Sequence, residues 1–327
     1  MSSEGDHEEK RKAAVPLTAA LHRKHIKQLY EKRESFEIYM LEHRKISGVY
    51  WSLASLHMMD CLDDLPKEEI IEWVFKTYDK DSGGFGANEQ LDPQLLSTLS
   101  AVQILAIYNE LDRLDMEKVV EYIKSLQNED GSFSGDQWGE VDTRFSYGAL
   151  LCLKIMNRLE DVDVDKAIDY VLRCRNFDGG FGCIPGAESH AGQIFCCVGA
   201  LALTNSLNRT DVDLLGWWLS ERQLPCGGFN GRPDKKEDVC YSWWVLSSMA
   251  MLGKIDWIDR EKLTEFILKC QSPEGGIAYR PGGMPDVFHT FFGLGALSLM
   301  DCPDLKRIDP KYALGTEVVE LIENVRN

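Results

Sequence analysis

No run of about 18 consecutive apolar residues occurs in the 327-residue chain, so no segment reads as a membrane span. An apolar leader is missing as well. The opening MSSEGDHEEKRK is charged, and no signal peptide is expected. Positive charge is scarce: 36 Lys and Arg stand against 53 Asp and Glu, a net charge of −17. Such a chain repels nucleic acid and anionic membrane unless its cations are segregated. Here they are scattered, apart from a modest run over residues 23–33, so nucleic-acid binding is set aside. That run reads as a solvated helix face or as a subunit contact. The ten cysteines lack the dense spacing of a disulfide framework, which a chain of this size does not need. Free thiols in a reducing cytoplasm are expected. Length and a 44% hydrophobic content allow one large domain or two ordinary ones.

What the chain has is a period. Glycine-rich turns recur as GGFG, DGSFSG, DGGFG, GGFNG and GGIA, and the apolar residue in each (Phe85, Phe133, Phe181, Phe229, Ile277) follows the last by 48 residues. Asp115, Asp163, Asp211 and Asp259 keep the same spacing, each followed two residues later by a second acid. Aspartate at an N-cap and an acid in the first turn favour a helix start. EKVVEYIKSLQ, DKAIDYVLRCR and EKLTEFILKCQ then read as amphipathic helices. About ten residues after each turn a different helix begins, as in LLSTLSAVQILAIY or GQIFCCVGALALT. These are apolar nearly all round and must be buried on several sides. Wet helices thus alternate with buried ones. An open stack would be a solenoid, but it would not bury its inner helices so fully. The expectation is an all-α fold, a closed α/α barrel (toroid) of helical hairpins forming one domain over residues 1–327. Either residues 19–33 or residues 316–325 supply the last outer helix.

In such a ring all inner helices start at one rim, and residues at those starts converge. Positions 142, 190, 238 and 286 hold Asp, His, Asp and Asp; positions 145, 193, 241 and 289 hold Phe, Gln, Tyr and His. Asp238, Cys240 and Tyr241 therefore sit at one mouth and His289 at the next, with neighbouring helices about 8–10 Å apart. Asp, Cys and His suit zinc, and three protein ligands leave a fourth position open. The alternative keeps Cys240 as a small buried hydrophobe, Asp238 as a cap and His289 as a satisfied core histidine. A positive set lies nearby: Arg232, Lys235 and Lys236 in the preceding loop, with His190 and Arg144 opening two earlier helices. Cations in a partly dry cleft favour a di-anionic group such as a diphosphate. Lys236 reads better as a solvated loop charge. Arg144 begins a buried helix and needs a partner, for which Asp142 or Glu140 would serve. Aromatics crowd the inner helices, among them Trp51, Phe195, Trp243, Trp244 and Phe292. Most read as interlayer packing and a few as lining of a central cavity.

The segments DGGFGCIPGAESHAGQIFCC, LLGWWLSERQLPCGGFNGRP, DVCYSWWVLSSM and DVFHTFFG closely resemble the β subunits of protein prenyltransferases. The resemblance runs over residues 47–298 and is greatest to the type II branch, which geranylgeranylates Rab GTPases. It implies an α/α barrel, with Asp238, Cys240 and His289 on a catalytic zinc ion. It implies that His190, Arg232, Lys235 and Tyr241 hold the diphosphate of geranylgeranyl diphosphate. Arg144, Tyr147, Ala191, Gly192, Cys196, Ser242, Trp243, Trp244 and Trp51 correspond to the isoprenoid site. Ser47 stands where farnesyl enzymes carry a bulky Trp at the tunnel floor, and Leu99 replaces an aromatic; smaller residues favour a C20 over a C15 chain. Tyr279 stands where farnesyltransferases carry an Asp linked to magnesium, which puts a magnesium role in doubt. The family also implies an α subunit, which lends a lysine to the diphosphate site, and an escort protein that presents the Rab. Competing readings are a type I geranylgeranyl- or farnesyltransferase β subunit, a metal-free cyclase or glycosidase on a similar ring, a zinc hydrolase, and a non-catalytic toroid that only binds partners.

Overall fold

A computed structural model describes residues 15–32 and 41–324; Arg33 and Val325, the ends of two segments considered above, lie outside them. Thirteen α-helices follow one another among the described residues: α1 (Ala19–Glu31), α2 (Lys45–Met58), α3 (Lys67–Lys76), α4 (Leu95–Ile107), α5 (Met116–Ser125), α6 (Thr143–Ile155), α7 (Val164–Arg173), α8 (Ala191–Leu203), α9 (Val212–Ser220), α10 (Val239–Met251), α11 (Arg260–Lys269), α12 (Val287–Leu299) and α13 (Thr316–Asn324). No described helix is long and apolar enough to cross a membrane.

The helix starts are written in the repeat. Asp115, Asp163, Asp211 and Asp259 cap α5, α7, α9 and α11, each accepting a backbone N–H of the first turn. Gln94, Asp142, His190, Asp238 and Asp286, again 48 residues apart, cap α4, α6, α8, α10 and α12. The even-numbered helices α2 to α12 each pack on the next, and α12 returns to α2, so the inner ring is closed. Their first N–H groups bond to the loop of the following repeat: Leu95 to the Gly135 carbonyl, Thr143 to Cys183, Ala191 to Gly231 and Val239 to Tyr279, at 2.8–3.0 Å. All these starts therefore lie on one rim.

The sixth outer helix is α1. In each earlier repeat the first turn glycine has positive φ and packs against the third residue of the next outer helix: Gly83 on Lys118, Gly131 on Lys166, Gly179 on Leu214 and Gly227 on Lys262. Gly275, at φ +97, makes the same contact with Leu21, the third residue of α1, and a Cβ there would overlap the Leu21 carbonyl. His22 and Thr18 then bond to Gln271, which seals the seam. Arg23 and Lys27, part of the basic run, pair with Asp64 in the same chain.

The C-terminal segment has another task. Two short strand pairs occur among the described residues, β1 (Ile277–Ala278) with β2 (Pro285–Asp286) and β3 (Ile308–Asp309) with β4 (Leu314–Gly315), and the second brackets a loop that enters the ring. The carbonyls of Lys311, Tyr312 and Ala313 accept bonds from Tyr147 of α6, Gln103 of α4 and Tyr50 of α2. This loop closes the lumen below the rim.

Candidate functional site

At the rim, α10 and α12 bring three donor atoms together. One ligand atom each from Asp238, Cys240 and His289 lies within 4.8 Å of the other two. The carboxylate of Asp238 does two things: Oδ1 caps α10 through the Cys240 N–H at 2.9 Å and faces His289 Nε2 at 3.2 Å. On the far side of the imidazole, Nδ1 donates to Asp286 Oδ2 at 2.7 Å, while Asp286 Oδ1 caps α12 through the His289 N–H. A histidine held by a carboxylate on one nitrogen with the other presented to a donor cluster is the arrangement that orients metal-bound imidazoles. Burial opposes charge on His289, but its bonds to Asp238 and Asp286 prevail and raise it to about 9. Burial, and then the neighbouring Asp238, push the Cys240 thiol far up. A cation between them would reverse both preferences, since it binds thiolate and neutral imidazole. The oxygen, sulfur and nitrogen donors fit such an ion.

Asp238 also forms one wall of a cleft of about 430 Å³ lined by His190, Arg232, Lys235, Lys236, Asp238, Tyr241 and Arg280. Four permanent cations thus line the cleft with one carboxylate, Asp238, in a chain of net charge −17; Glu188 and Glu237 stand beside Arg232 and Arg280. The Gly192 N–H donates to His190 Nδ1, so Nε2 carries the proton and donates to the Tyr241 oxygen at 3.2 Å. Burial and then Arg232 hold His190 below the usual histidine range. Burial, with Cys240 and Asp238 adding to it, raises Tyr241 to about 12. Its O–H is therefore a proton donor, and it is free to point into the cleft. Gly231 permits this, because a Cβ there would overlap the Tyr241 ring. Arg232 is ion-paired with Glu188.

Inside the ring an aromatic belt runs from helix to helix. Tyr147 meets Phe195 at 5.1 Å, Phe195 meets Trp244 at 4.9 Å, Trp244 meets Phe292 at 4.3 Å, and Phe288 meets Trp51 at 5.0 Å between centroids. Trp51, Trp244 and Phe288 keep part of their surface free.

Residues 17–314 match the profile described as "Prenyltransferase alpha-alpha toroid domain". The chain belongs to the prenyltransferase α-α toroid family. Its sequence is 51% identical over 134 residues to the geranylgeranyl transferase type-2 subunit beta of Saccharomyces cerevisiae, covering 40% of this chain and 41% of that one. Against the type-2 subunit beta 1 of Arabidopsis thaliana it is 54% identical over 92 residues, 28% of each chain. These matches span about two fifths or less of those relatives' own length. Among solved structures, the toroid superposes on Candida albicans protein geranylgeranyltransferase-I complexed with GGPP at a TM-score of 0.85, with 24% identity, over 94% of this chain and 98% of that one. It also superposes on the type II terpene cyclase MstE from Scytonema at 0.61, with 14% identity, over 80% and 88%. At those identities the structural likeness establishes the fold alone.

Within this prenyltransferase toroid the expected site residues separate into groups. His190, Arg232, Lys235 and Tyr241 share the cationic cleft, and Asp238, Cys240 and His289 share the donor cluster. Lys236, read from sequence as a solvated loop charge, also lines the cleft. Arg280 and the His289-holding Asp286 were missed as site residues. A signal for Arg280 existed, since it stands one 48-residue period after Arg232. Arg144 is not buried: its side chain is 45% exposed and pairs with Asp142 at 3.0 Å and Glu140 at 3.5 Å, so both foreseen partners are present. Ala191, Ser242 and Trp243 are 0% exposed, enclosed by the inner helices. Tyr147, Cys196 and Leu99 are 6–8% exposed, and the Tyr147 hydroxyl is taken by the Lys311 carbonyl at 2.8 Å. Gly192 and Ser47 are half-buried at the rim on α8 and α2, three places apart and so opposite in the six-helix ring. The Ser47 hydroxyl meets that of Ser100 on α4 at 3.0 Å. Tyr279 is 41% exposed and contributes its carbonyl to the start of α10.

Proposed function

We propose that the chain is the catalytic β subunit of a zinc-dependent protein geranylgeranyltransferase of type II. It works in the cytoplasm as a heterodimer with a prenyltransferase α subunit, and it moves a C20 isoprenoid from geranylgeranyl diphosphate to C-terminal cysteines of Rab GTPases presented by an escort protein. The observation that carries this reading is the sharing of one rim by the donor cluster and the cationic cleft, which meet at Asp238 above an aromatic lumen. Similarity to type-2 β subunits supports the branch.

The reaction needs an acceptor thiol made nucleophilic, a primary carbon C1 held beside it, and a home for the leaving charge. A free cysteine has a pKa of about 8.5 and is mostly protonated at neutral pH. Asp238, Cys240 and His289 would hold the zinc ion, which, when bound, favours the thiolate form of an added thiol. Asp286 fixes the His289 tautomer so that Nε2 is the free donor. The acceptor sulfur forms its bond to C1, the thiol proton passes to solvent, and the electrons of the broken C1–O bond leave with diphosphate. Arg232, Lys235, the Tyr241 hydroxyl and the His190–Tyr241 pair face that growing charge and are preorganised for it. Trp51, Trp244 and Phe288 receive the isoprenoid and exclude water from C1. Ser47 and Leu99 leave room for the longer chain.

A second reading, a type I geranylgeranyl- or farnesyltransferase β subunit, draws on the 32% identity over 99 residues to the protein farnesyltransferase subunit beta of Schizosaccharomyces pombe. One assay separates them: co-express the chain with an α subunit, then offer C15 and C20 donors against Rab plus escort protein and against a free CaaX peptide. Transfer of C20 to Rab with escort protein is expected. Transfer only to the free peptide would overturn the type II assignment, and transfer to neither would overturn the enzyme.

A further inference from the structure

Arg280 differs from the other cations of the cleft in how it is held. Its Nε donates to the Glu237 main-chain carbonyl at 2.6 Å, and its guanidinium lies 5.5 Å over the Tyr279 ring. The Glu237 carboxylate stands 3.9 Å from the same Nε. These contacts fix the Nε edge. Among the described residues no protein acceptor meets Nη1 or Nη2 within hydrogen-bond reach. Arg232, by contrast, spends Nη1 on Glu188, and Lys235 and Lys236 are on the exposed part of their loop. Arg280 is thus the cleft cation oriented by main chain with two donor groups unspent. Its anchor is the residue just before Asp238, so its position is tied to the donor cluster as well.

We propose that Arg280 binds the diphosphate of the isoprenoid donor and stabilises the charge that accumulates on it as the C1–O bond breaks. The inference rests on the transferase reading above. A planar guanidinium with two parallel Nη–H groups matches two phosphoryl oxygens, and a lysine cannot reproduce that fork. Because the Nε edge is already fixed, little side-chain freedom is lost on binding. Electron flow is that of the transfer itself: the C1–O pair goes to the diphosphate oxygen and the S–C1 bond replaces it. No co-reactant is added.

The test uses the full chain with its α partner and three proteins: wild type, Arg280→Gln and Arg280→Lys. Three quantities are measured: inhibition by inorganic pyrophosphate, binding of uncharged geranylgeraniol, and the single-turnover transfer rate. Losing a hydrogen bond to a charged group should weaken pyrophosphate inhibition about tenfold to a hundredfold in Arg280→Gln and slow the single turnover by a similar factor. Geranylgeraniol binding and the thermal midpoint should not move, and Arg280→Lys should recover part of the loss. Unchanged pyrophosphate inhibition and single-turnover rate in Arg280→Gln would overturn the assignment. So would a loss that extends equally to geranylgeraniol, which would mark Arg280 as only a brace for Glu237. If wild type itself neither transfers C20 nor is inhibited by pyrophosphate, the transferase reading is what fails.

Discussion

Asp286 holds two bonds with two oxygens, and they can be separated. Oδ1 caps α12, and Oδ2 takes the Nδ1 proton of His289. Asparagine caps a helix about as well as aspartate, but its neutral amide raises imidazole basicity less. Asp286→Asn should therefore leave folding close to wild type while lowering zinc affinity about tenfold to a hundredfold, the usual effect of removing such an outer partner. Asp286→Ala should add a loss of about 1 kcal/mol for the missing cap. Competition with a chromophoric chelator reads the first effect, and urea unfolding of the metal-free protein reads the second. Equal zinc affinity in wild type and Asp286→Asn would refute the positioning role. Removing a ligand is a stronger change: Asp238→Ala and Cys240→Ala should each abolish bound zinc and transfer while the ring still folds. Stoichiometric zinc with full turnover in both would show that the cluster is not the metal site. The convergence of Asp238, Cys240 and His289 was legible from sequence because the 48-residue register places them at successive helix mouths. The double use of Asp286 was not, since a cap and a histidine partner look alike in one dimension.

At the scale of elements, the seam made by α1 depends on a neutral histidine. The Gly276 N–H donates to His22 Nδ1 at 2.9 Å, and the other ring nitrogen, Nε2, bonds to Gln271 Oε1 at 2.9 Å. Protonating Nδ1 would turn an acceptor into a donor facing a donor. Burial outweighs the Gln271 bond and lowers the His22 pKa from 6.5, so the unfolded chain takes up the proton first. The stabilisation is whole above about pH 6.5 and is lost as pH falls below it towards the folded value. The thermal midpoint should be flat from pH 8 to 7 and fall below 6.5. His22→Gln should lower it at pH 8 and flatten part of the acid slope; an unchanged slope would remove His22 from the account. This seam is also where sequence reasoning stopped. Five turns and their following helices repeat with a constant offset, so the caps at 115, 163, 211 and 259 were readable. The partner of the fifth turn comes from the other end of the chain, outside the register, and no spacing announces it. The plug around Tyr312 lies outside the repeat too, and only its packing against Tyr50, Gln103 and Tyr147 reveals it.

At the scale of the whole molecule, closure distinguishes this ring from a stack of hairpins. A stack unravels from its ends, because each repeat contacts only its neighbours. A ring has no ends while its seam holds. The same substitution at two turns can test this. Gly275 and Gly131 both have positive φ, and both pack against a carbonyl of the next outer helix, Leu21 and Lys166 respectively. Alanine at either position should cost about 1 kcal/mol or more in strain and displacement. If the molecule is one cooperative unit, both variants should unfold in urea in a single transition with an unchanged slope, seen alike by circular dichroism and tryptophan fluorescence. A separate early transition in Gly275→Ala alone would mean that the seam opens independently. Zinc should discriminate where stability does not. The turn at Gly275 leads into β1 (Ile277–Ala278), which pairs with β2 (Pro285–Asp286) and so sets the carboxylate that holds His289. The turn at Gly131 leads, by the same kind of bridge from Ser134 to Val141, to Asp142 and Arg144, which touch no metal donor. Gly275→Ala is therefore expected to weaken zinc binding and Gly131→Ala to spare it, although neither removes a ligand. Equal zinc affinities in the two variants would mean that the rim is insulated from the seam.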